Sequence, residues 1–444
     1  MRCYDNGYCF KNNGWIYLHI EGDPYERGLQ HGYLMAREIE LALKAIKYYV
    51  YFTTGMDFDF FVANADRMFK PFLKKTSEFG EEICGIVNGS QKAGIPISFE
   101  DLVGWNGFLE LNDFWWPWKQ KHSSSEKVKI NKCSAFIATG DATKDKTIIM
   151  AHNTWYDFIF GQKFNIIADI QPSNGFRMLM QTIPGYISSM SDFFVTSGGL
   201  AGTETTIQIN DYKEEGKPEF LRAREAMQYA GTINEWIKIM RQDNNGGFAN
   251  SWLLGDLKSN EIARFELGLK YDHTTITSNG IFTGFNAPED PRIRNLEYTQ
   301  SKDYSDIRSE IGSRRVRWSQ LAEQYYGRID VNNAKKMISD HYDVYLNSYN
   351  PSTRCICCHS DNDRGEFPST PSPYSLHGAL DGKVLDATLG GKMQFEARWG
   401  RPCGTPFYAA KYLKQHPQWD WQQGYLDDMP TQPWTIFGIG MRGA

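Results

Sequence analysis

The sequence predicts an α+β protein in which antiparallel sheets are stacked with helices outside them, and three observations carry that expectation. The first 110 residues are mostly helical in pattern. From Cys133 onward the texture changes to short β-rich runs separated by glycine, asparagine and aspartate turns. A few helical stretches interrupt those runs without any repeat of solenoid period.

In chain order, "GWIYLHIEGDPYERGLQHGYLMAREIELALKAIKYYV" opens as a short strand, turns at Gly22 to Pro24, and continues with helical spacing and strong helix formers to Val50. A second helical stretch, "FFVANADRMFKPFLKKTSEFGEEICGIVNGSQKAG", ends at Gly89 or Gly94. The aromatic "NDFWWPWKQ" follows, readable as a lipid-facing lip or as a tryptophan-rich core contact. "KHSSSEKVKIN" is polar, cannot bury a face, and is expected to be a flexible exposed linker. The expected organisation is a mostly helical segment 1–121, a linker 122–132 and a core 133–444, all one integrated domain. Strands are expected in "CSAFIAT", "TIIMAHNTW", "FNIIADIQ", "RMLMQTIPG", "DFFVTSGGLAGTETTIQ", "NSWLLGDL" and "EIARFELGL". Helices are expected in "PEFLRAREAMQYAG", "TINEWIKIMRQ", "SRRVRWSQLAEQYYG" and "DVNNAKKMISDHYD".

Composition bounds the function. A chain of 444 residues that is 41% hydrophobic and 14% aromatic has ample material for a core. A net charge of -5 from 53 acids and 48 bases gives no basic excess, so nucleic acid is not an expected partner. The longest apolar runs, such as "TIIMA" and "YLHI", fall well short of the roughly 20 residues that span a bilayer, so no transmembrane anchor is expected. The 8 cysteines fit disulfides in an exported protein or free thiols in a reduced one. "RCYDNGYCFKNNG" after Met1 lacks a signal core, which fits either a cytoplasmic chain or an exported one with its signal removed; of these the exported placement is the expectation and the cytoplasm the alternative.

The chemistry centres on "NKCSAFIATGDATKDKTIIMAHNTW", residues 131–155, two strand-like runs joined by a polar turn. A turn centred near Ala142 to Lys144 sets Cys133 opposite residues around Thr154 and places His152 within one or two pairs of it. An isolated pair of this kind is more often a packed cysteine beside a locally satisfied histidine. The linker just before Cys133 changes the weighing, because cutting there frees an α-amine titrating near ~8, able to accept the thiol proton. One residue would then supply both nucleophile and base.

These residues carry a family resemblance. The order "CSAF...AHNTW...IPGYISSMSDFFVTSGGLAGTETT...NGGFANSWLLGDL...RCICC" resembles the phospholipase B-like family of N-terminal-nucleophile hydrolases. "GDPYERGLQHGYLMA" is similar to the related peptidase C45 and penicillin acyltransferase group. The resemblance implies an αββα four-layer sandwich, autoproteolytic maturation at the nucleophile, and hydrolysis of an amide or ester bond in a small acylated substrate. Carried onto this chain, it makes Cys133 the nucleophile, His152 a catalytic neighbour and Asn250 the donor to an oxyanion, with Trp155, Ser188, Thr203 and Thr205 lining the substrate site. An arginine is expected near the site, with Arg314, Arg315 and Arg354 all candidates. An acyltransferase using the same first half-reaction, and a non-catalytic binding protein on the same fold, are the alternatives.

No cofactor and no metal are expected. "CICCHSD" lacks the paired CxxC spacing of a structural zinc site, and "SGGLAG" and "LGGKM" lack the glycine order of phosphate cradles. His31, in "LQHG", reads as a packed or capping histidine.

Overall fold

The computed structural model describes residues 1–120, 133–362 and 376–443; the linker expected at 122–132 lies outside the described residues. In chain order the strands are β1 (Arg2–Tyr4), β2 (Gly7–Asn12), β3 (Trp15–Gly22), β4 (Cys133–Thr139), β5 (Ile149–Asp157), β6 (Ile166–Pro172), β7 (Met178–Thr182), β8 (Phe194–Thr196), β9 (Leu200–Thr206), β10 (Asn250–Asp256), β11 (Glu261–Leu267), β12 (Asp272–Thr277), β13 (Gly280–Gly284), β14 (Tyr342–Asp343), β15 (Ser348–Tyr349), β16 (His377–Ala379), β17 (Asp381–Asp386), β18 (Gln394–Trp399) and β19 (Thr435–Gly438). With the helices interspersed among them, the chain is α+β.

One sheet runs β1-β2-β3-β6-β7-β8-β9-β10-β11-β12 and the other β13-β4-β5-β17-β18-β19, with β16 also on β5. Pairing is antiparallel except where β3 lies parallel to β6, Ile16 against Ile166 through Gly22 against Pro172. The N-terminal stretch thus adds strands to the first sheet before its helices begin. Its six buried residues in a row, Trp15 to Ile20, are the near-continuous run that a strand covered on both faces needs.

The two sheets face each other, and their separation is set by small residues. A Cβ on Gly255 of β10 would lie 3.1 Å from Ile137 and 3.2 Å from Ile148, and one on Gly284 of β13 would lie 2.6 Å from Thr205. Helix Pro24–Thr54 packs on β2 and β3, helices Glu219–Tyr229 and Ile233–Arg241 on the strands from β8 to β11, and helix Val331–Ile338 on β5 and β17.

Helix Pro24–Thr54 and helix Glu78–Lys92 cross backbone to backbone. Gly28 and Gly32 on the first helix and Gly85 and Gly89 on the second form the crossing. An added Cβ would lie 2.0 Å from the Glu82 or Ile86 carbonyl oxygen on one side and 2.2–2.3 Å from those of Leu29 or Tyr25 on the other. This approach brings Glu82, fully buried, between two arginines. Arg27 donates to it at 2.7 Å, and Arg224 of helix Glu219–Tyr229 donates to both carboxylate oxygens at 3.0 Å. Burial pushes the Glu82 carboxyl up, and the two guanidinium groups more than reverse it.

His31 leaves the same helix and accepts the Gly185 N–H at its Nε2, 2.9 Å away, fixing the loop before β8. Burial pulls its pKa down to about 4, so the ring is held neutral, as an acceptor must be. Of the aromatic run, Trp115 is buried against Phe60 and Phe61 and donates to Glu214, which makes this part of it a core contact. Among the described residues no helix is long and apolar enough to cross a membrane.

Two outcomes follow from this packing. Gly32→Ala must push a backbone carbonyl aside, and urea denaturation should show a loss of about 1–3 kcal/mol or more, with Gly391→Ala, which meets no atom and lies outside the left-handed region, changing far less. The native state holds His31 unprotonated while the unfolded chain protonates near its ordinary value, so stability is full above about pH 6.5 and falls as pH drops towards about 4. His31→Gln, whose amide oxygen can accept from Gly185, should flatten that part of the stability profile by up to about 3 kcal/mol relative to wild type.

Candidate active site

β4 and β5 pair in the register Cys133 to Thr154, Ser134 to Asn153 and Ala135 to His152, as the position of the turn predicts. Strand alternation then sorts "HNTW". Thr154 and His152 share the face of Cys133, and Asn153 and Trp155 share the face of Ser134. β17 continues the pattern on the other side of β5, placing Lys383 opposite His152.

On the first face, Cys133 is fully buried at a cavity of about 10 Å³, room for roughly one water. Leu109, Thr154, Phe164, Ser191, Glu204 and Phe248 are among its other borders. The thiol is pushed well above its ordinary value, first by burial and then by the Glu204 carboxylate. The Trp155 backbone N–H and the Lys383 ammonium act in the opposite direction. Lys383 is itself wholly buried, donating to Thr154 Oγ1 at 2.8 Å and to Gln181 Oε1, and paired with Asp381 at 2.9 Å. Burial pulls its pKa down while Asp381 supports the charge. Asp381 in turn accepts the Thr154 N–H at 3.0 Å and the Gln181 amide at 2.7 Å, so both sheets are tied together behind the thiol.

On the reverse face the Cys133 backbone is gripped. Its N–H donates to Asn286 Oδ1 at 3.3 Å, and its carbonyl accepts from Arg314 Nη1 at 2.6 Å. Arg314, on helix Glu310–Tyr325, also donates to Asn286 Oδ1 at 2.9 Å and to Ser134 Oγ at 3.2 Å. Asn286 donates to the Thr206 carbonyl at 3.0 Å, so its amide has one orientation. The Arg314 guanidinium lies 4.1 Å from the centre of the Trp155 ring. Burial pulls its pKa down to about 10, which leaves it cationic at neutral pH. The Trp155 Nε1 donates to Asn153 Oδ1 at 2.9 Å, and that oxygen also accepts the Ser134 N–H at 3.1 Å.

Of the residues expected from sequence, Cys133 and Trp155 border the cavity, and the indole of Trp155 is turned to the far face, where it supports Arg314. His152 is neutral, its pKa lowered well below the ordinary value by burial and by Lys383. Neither of its ring nitrogens has a hydrogen-bond partner among the described residues, so it makes no thiol-imidazole pair with Cys133. Asn250 stands opposite Thr206 with both amide atoms likewise unpartnered, as are the hydroxyls of Ser188, Thr203 and Thr205. These five are among a larger number of buried side chains whose polar atoms have no partner within the described residues.

Sequence reasoning did not single out Glu204, Asn286, Asp381 or Lys383. It left Arg314 level with Arg315 and Arg354. The structure separates them: Arg315 donates to the Tyr304 carbonyl and Arg354 pairs with Asp343, so only Arg314 reaches Cys133. The expectation of no metal meets one arrangement it did not foresee, since His341, Cys357, His359 and Cys403 gather side by side.

A family model described as phospholipase B matches residues 9–433. The chain is 26% identical over 263 residues to an uncharacterized protein of Archaeoglobus fulgidus, covering 56% of this chain and 42% of that one. It is 25% identical to phospholipase-B 81 of Drysdalia coronoides, covering 73% of this chain and 61% of the other. It is also 25% identical to phospholipase B of Crotalus adamanteus, covering 68% and 58%. The chain thus spans less than two thirds of the length of these relatives.

Arg314→Gln would leave the Cys133 carbonyl and Asn286 Oδ1 short of a charged donor, and urea denaturation should show a loss of about 2–4 kcal/mol. Trp155→Phe keeps a ring beneath the guanidinium but removes one donor from Asn153, and should cost about 1 kcal/mol in the same assay.

Proposed function

The chain belongs to the phospholipase B family, and we propose that it is a hydrolase that deacylates an ester or amide through a thioester on Cys133, on the αββα sandwich of N-terminal-nucleophile enzymes. In this reading the peptide bond before Cys133 is broken during maturation and Cys133 becomes a new N-terminus. The observation that carries it is the grip on the Cys133 backbone. Asn286 Oδ1 sits against the very nitrogen that would become the α-amine, and Arg314 holds the carbonyl of the same residue.

The freed α-amine takes the Cys133 proton, and the ammonium so formed lowers the thiol's pKa, opposing the burial and the Glu204 charge that raise it in the intact chain. The thiolate attacks the acyl carbon, and the oxyanion is met by the amide of Asn250, whose Nδ2 has no partner among the described residues. The ammonium returns its proton to the leaving alcohol or amine as the C–O or C–N bond breaks. Water, deprotonated by the same amine, then attacks the thioester carbonyl, the C–S bond breaks to release the acid, and the ammonium returns its proton to the Cys133 sulfur.

The apolar borders of the cavity, Leu109, Phe164, Met190 and Phe248, suit an acyl group, and relatives named phospholipase B favour a lipid ester as its source. A cavity of about 10 Å³ cannot admit one, so in this reading the site must open before an acyl group can enter.

Intact mass and N-terminal sequencing test the maturation step. Wild type should yield two associated fragments, the larger beginning at Cys133, and Cys133→Ala should remain one chain. An enzyme that turns over acyl esters while still a single chain would refute the free-amine mechanism. Asn250→Ala should mature normally yet turn over about 10²–10³-fold more slowly, measured against a panel of acyl esters and amides. Adding a competing amine to that assay separates hydrolysis from acyl transfer by the product formed.

A further inference from the structure

We propose that His341, Cys357, His359 and Cys403 form a structural zinc site, a four-ligand Cys2His2 centre separate from Cys133. Their ligand atoms all lie within 4.8 Å of one another. His359 Nε2 is 3.0 Å from His341 Nε2, 3.6 Å from Cys357 Sγ and 3.5 Å from Cys403 Sγ. A tetrahedral ion with Zn–N near ~2.0 Å and Zn–S near ~2.3 Å sets ligand atoms roughly 3.3–3.8 Å apart, so the four converge at close to the spacing such an ion requires.

Several neighbours orient the ligands, while His359 Nδ1 has no partner among the described residues. Tyr349 OH lies 2.9 Å from His341 Nδ1, which orients the ring so that Nε2 faces the cluster. The Thr405 N–H donates to Cys403 Sγ at 3.4 Å, and Gly404 between them takes a φ of +82°, the left-handed turn that bends the chain back over the sulfur. His359 is anchored by its own N–H to the Ser352 carbonyl at 3.1 Å and by a bridge to Gly378. Two thiolates and two neutral imidazoles balance the charge of a divalent ion, and this mixed sulfur and nitrogen set is the chemistry that selects zinc over magnesium or calcium. An open surface cleft bordered by His341, Tyr349, Cys403, Arg398 and Trp434 gives the ion an entry path.

With four protein ligands the site is closed, so its work is to hold chain together. It joins the segment before β14, the loop 350–359 and the loop after β18. The middle one underlies the nucleophile's hairpin: the Ile356 carbonyl accepts from Asn153, and Cys357 and Cys358 pack against Trp155. Cys355, whose thiol donates to the Asn350 carbonyl at 3.0 Å, is outside the cluster.

Full-length protein purified under reducing conditions without chelator should carry about one zinc per chain by elemental analysis. Cys403→Ser and His341→Gln should each lower that content at least tenfold, and Cys355→Ser should not. Wild type stripped with chelator should lose thermal stability and regain it with Zn²⁺ but not Mg²⁺. Stripped protein given Co²⁺ should show the absorption of tetrahedral cobalt bound by thiolate, a readout independent of any variant. Reduced wild type that takes up neither Zn²⁺ nor Co²⁺ overturns the proposal. So does as-purified protein lacking metal whose mass is lower by the two hydrogens of a Cys357–Cys403 disulfide.

Discussion

The antiparallel register that sets Cys133 opposite Thr154 is the constraint from which the rest of the site follows. A shift of one residue would exchange the two faces of β5 and send every group on them to the wrong side. In the register observed, one face gives the thiol its neighbours in the space between the sheets, Thr154, His152 and, from β17, Lys383. The other gives the thiol's own backbone its holders. Asn153 takes the Ser134 N–H, Trp155 supports Arg314, and Arg314 takes the Cys133 carbonyl. The same strand pair therefore presents the sulfur on one side and fixes the main chain that carries it on the other.

That arrangement is expensive to bury and is held by connected charges. Lys383 and Asp381 are both inaccessible to solvent, and each charge is surrounded by bonds to Thr154 and Gln181. Glu82 is held similarly between Arg27 and Arg224, where three helices meet the loop that His31 anchors. Buried pairs of this kind contribute little net stability but strongly penalise any arrangement that separates them, so they fix geometry. The amide of Asn250 and the imidazole of His152 are among the buried groups that have no such partner within the described residues.

What was legible in the sequence was local. The hairpin register followed from the position of its turn, and the helix from Pro24 followed from its spacing and its turn at Gly22. The α+β class followed from the change of texture at Cys133. The strand "WIYLHI" was legible as a strand, but its parallel partner lies about 150 residues away and no periodicity records it. Alternation along "HNTW" could have told that Trp155 faces away from Cys133, because the two differ in parity once the register is known. Arg314 could not be told from Arg315 by sequence, since neighbouring helix positions differ only in the face they present. The Cys2His2 group was hidden for a similar reason. Its ligands come from three separate segments, and only Cys357 and His359 of "CICCHSD" belong to it.

The central claim is that Cys133 carries the acyl group in a covalent intermediate, and rapid quenching of the matured enzyme with an acyl ester, followed by peptide mass mapping, tests it most directly. The account predicts an acyl adduct on the peptide that begins at Cys133, appearing before free acid accumulates and decaying as the acid forms. Turnover without such an adduct, undiminished in Cys133→Ala, would contradict it.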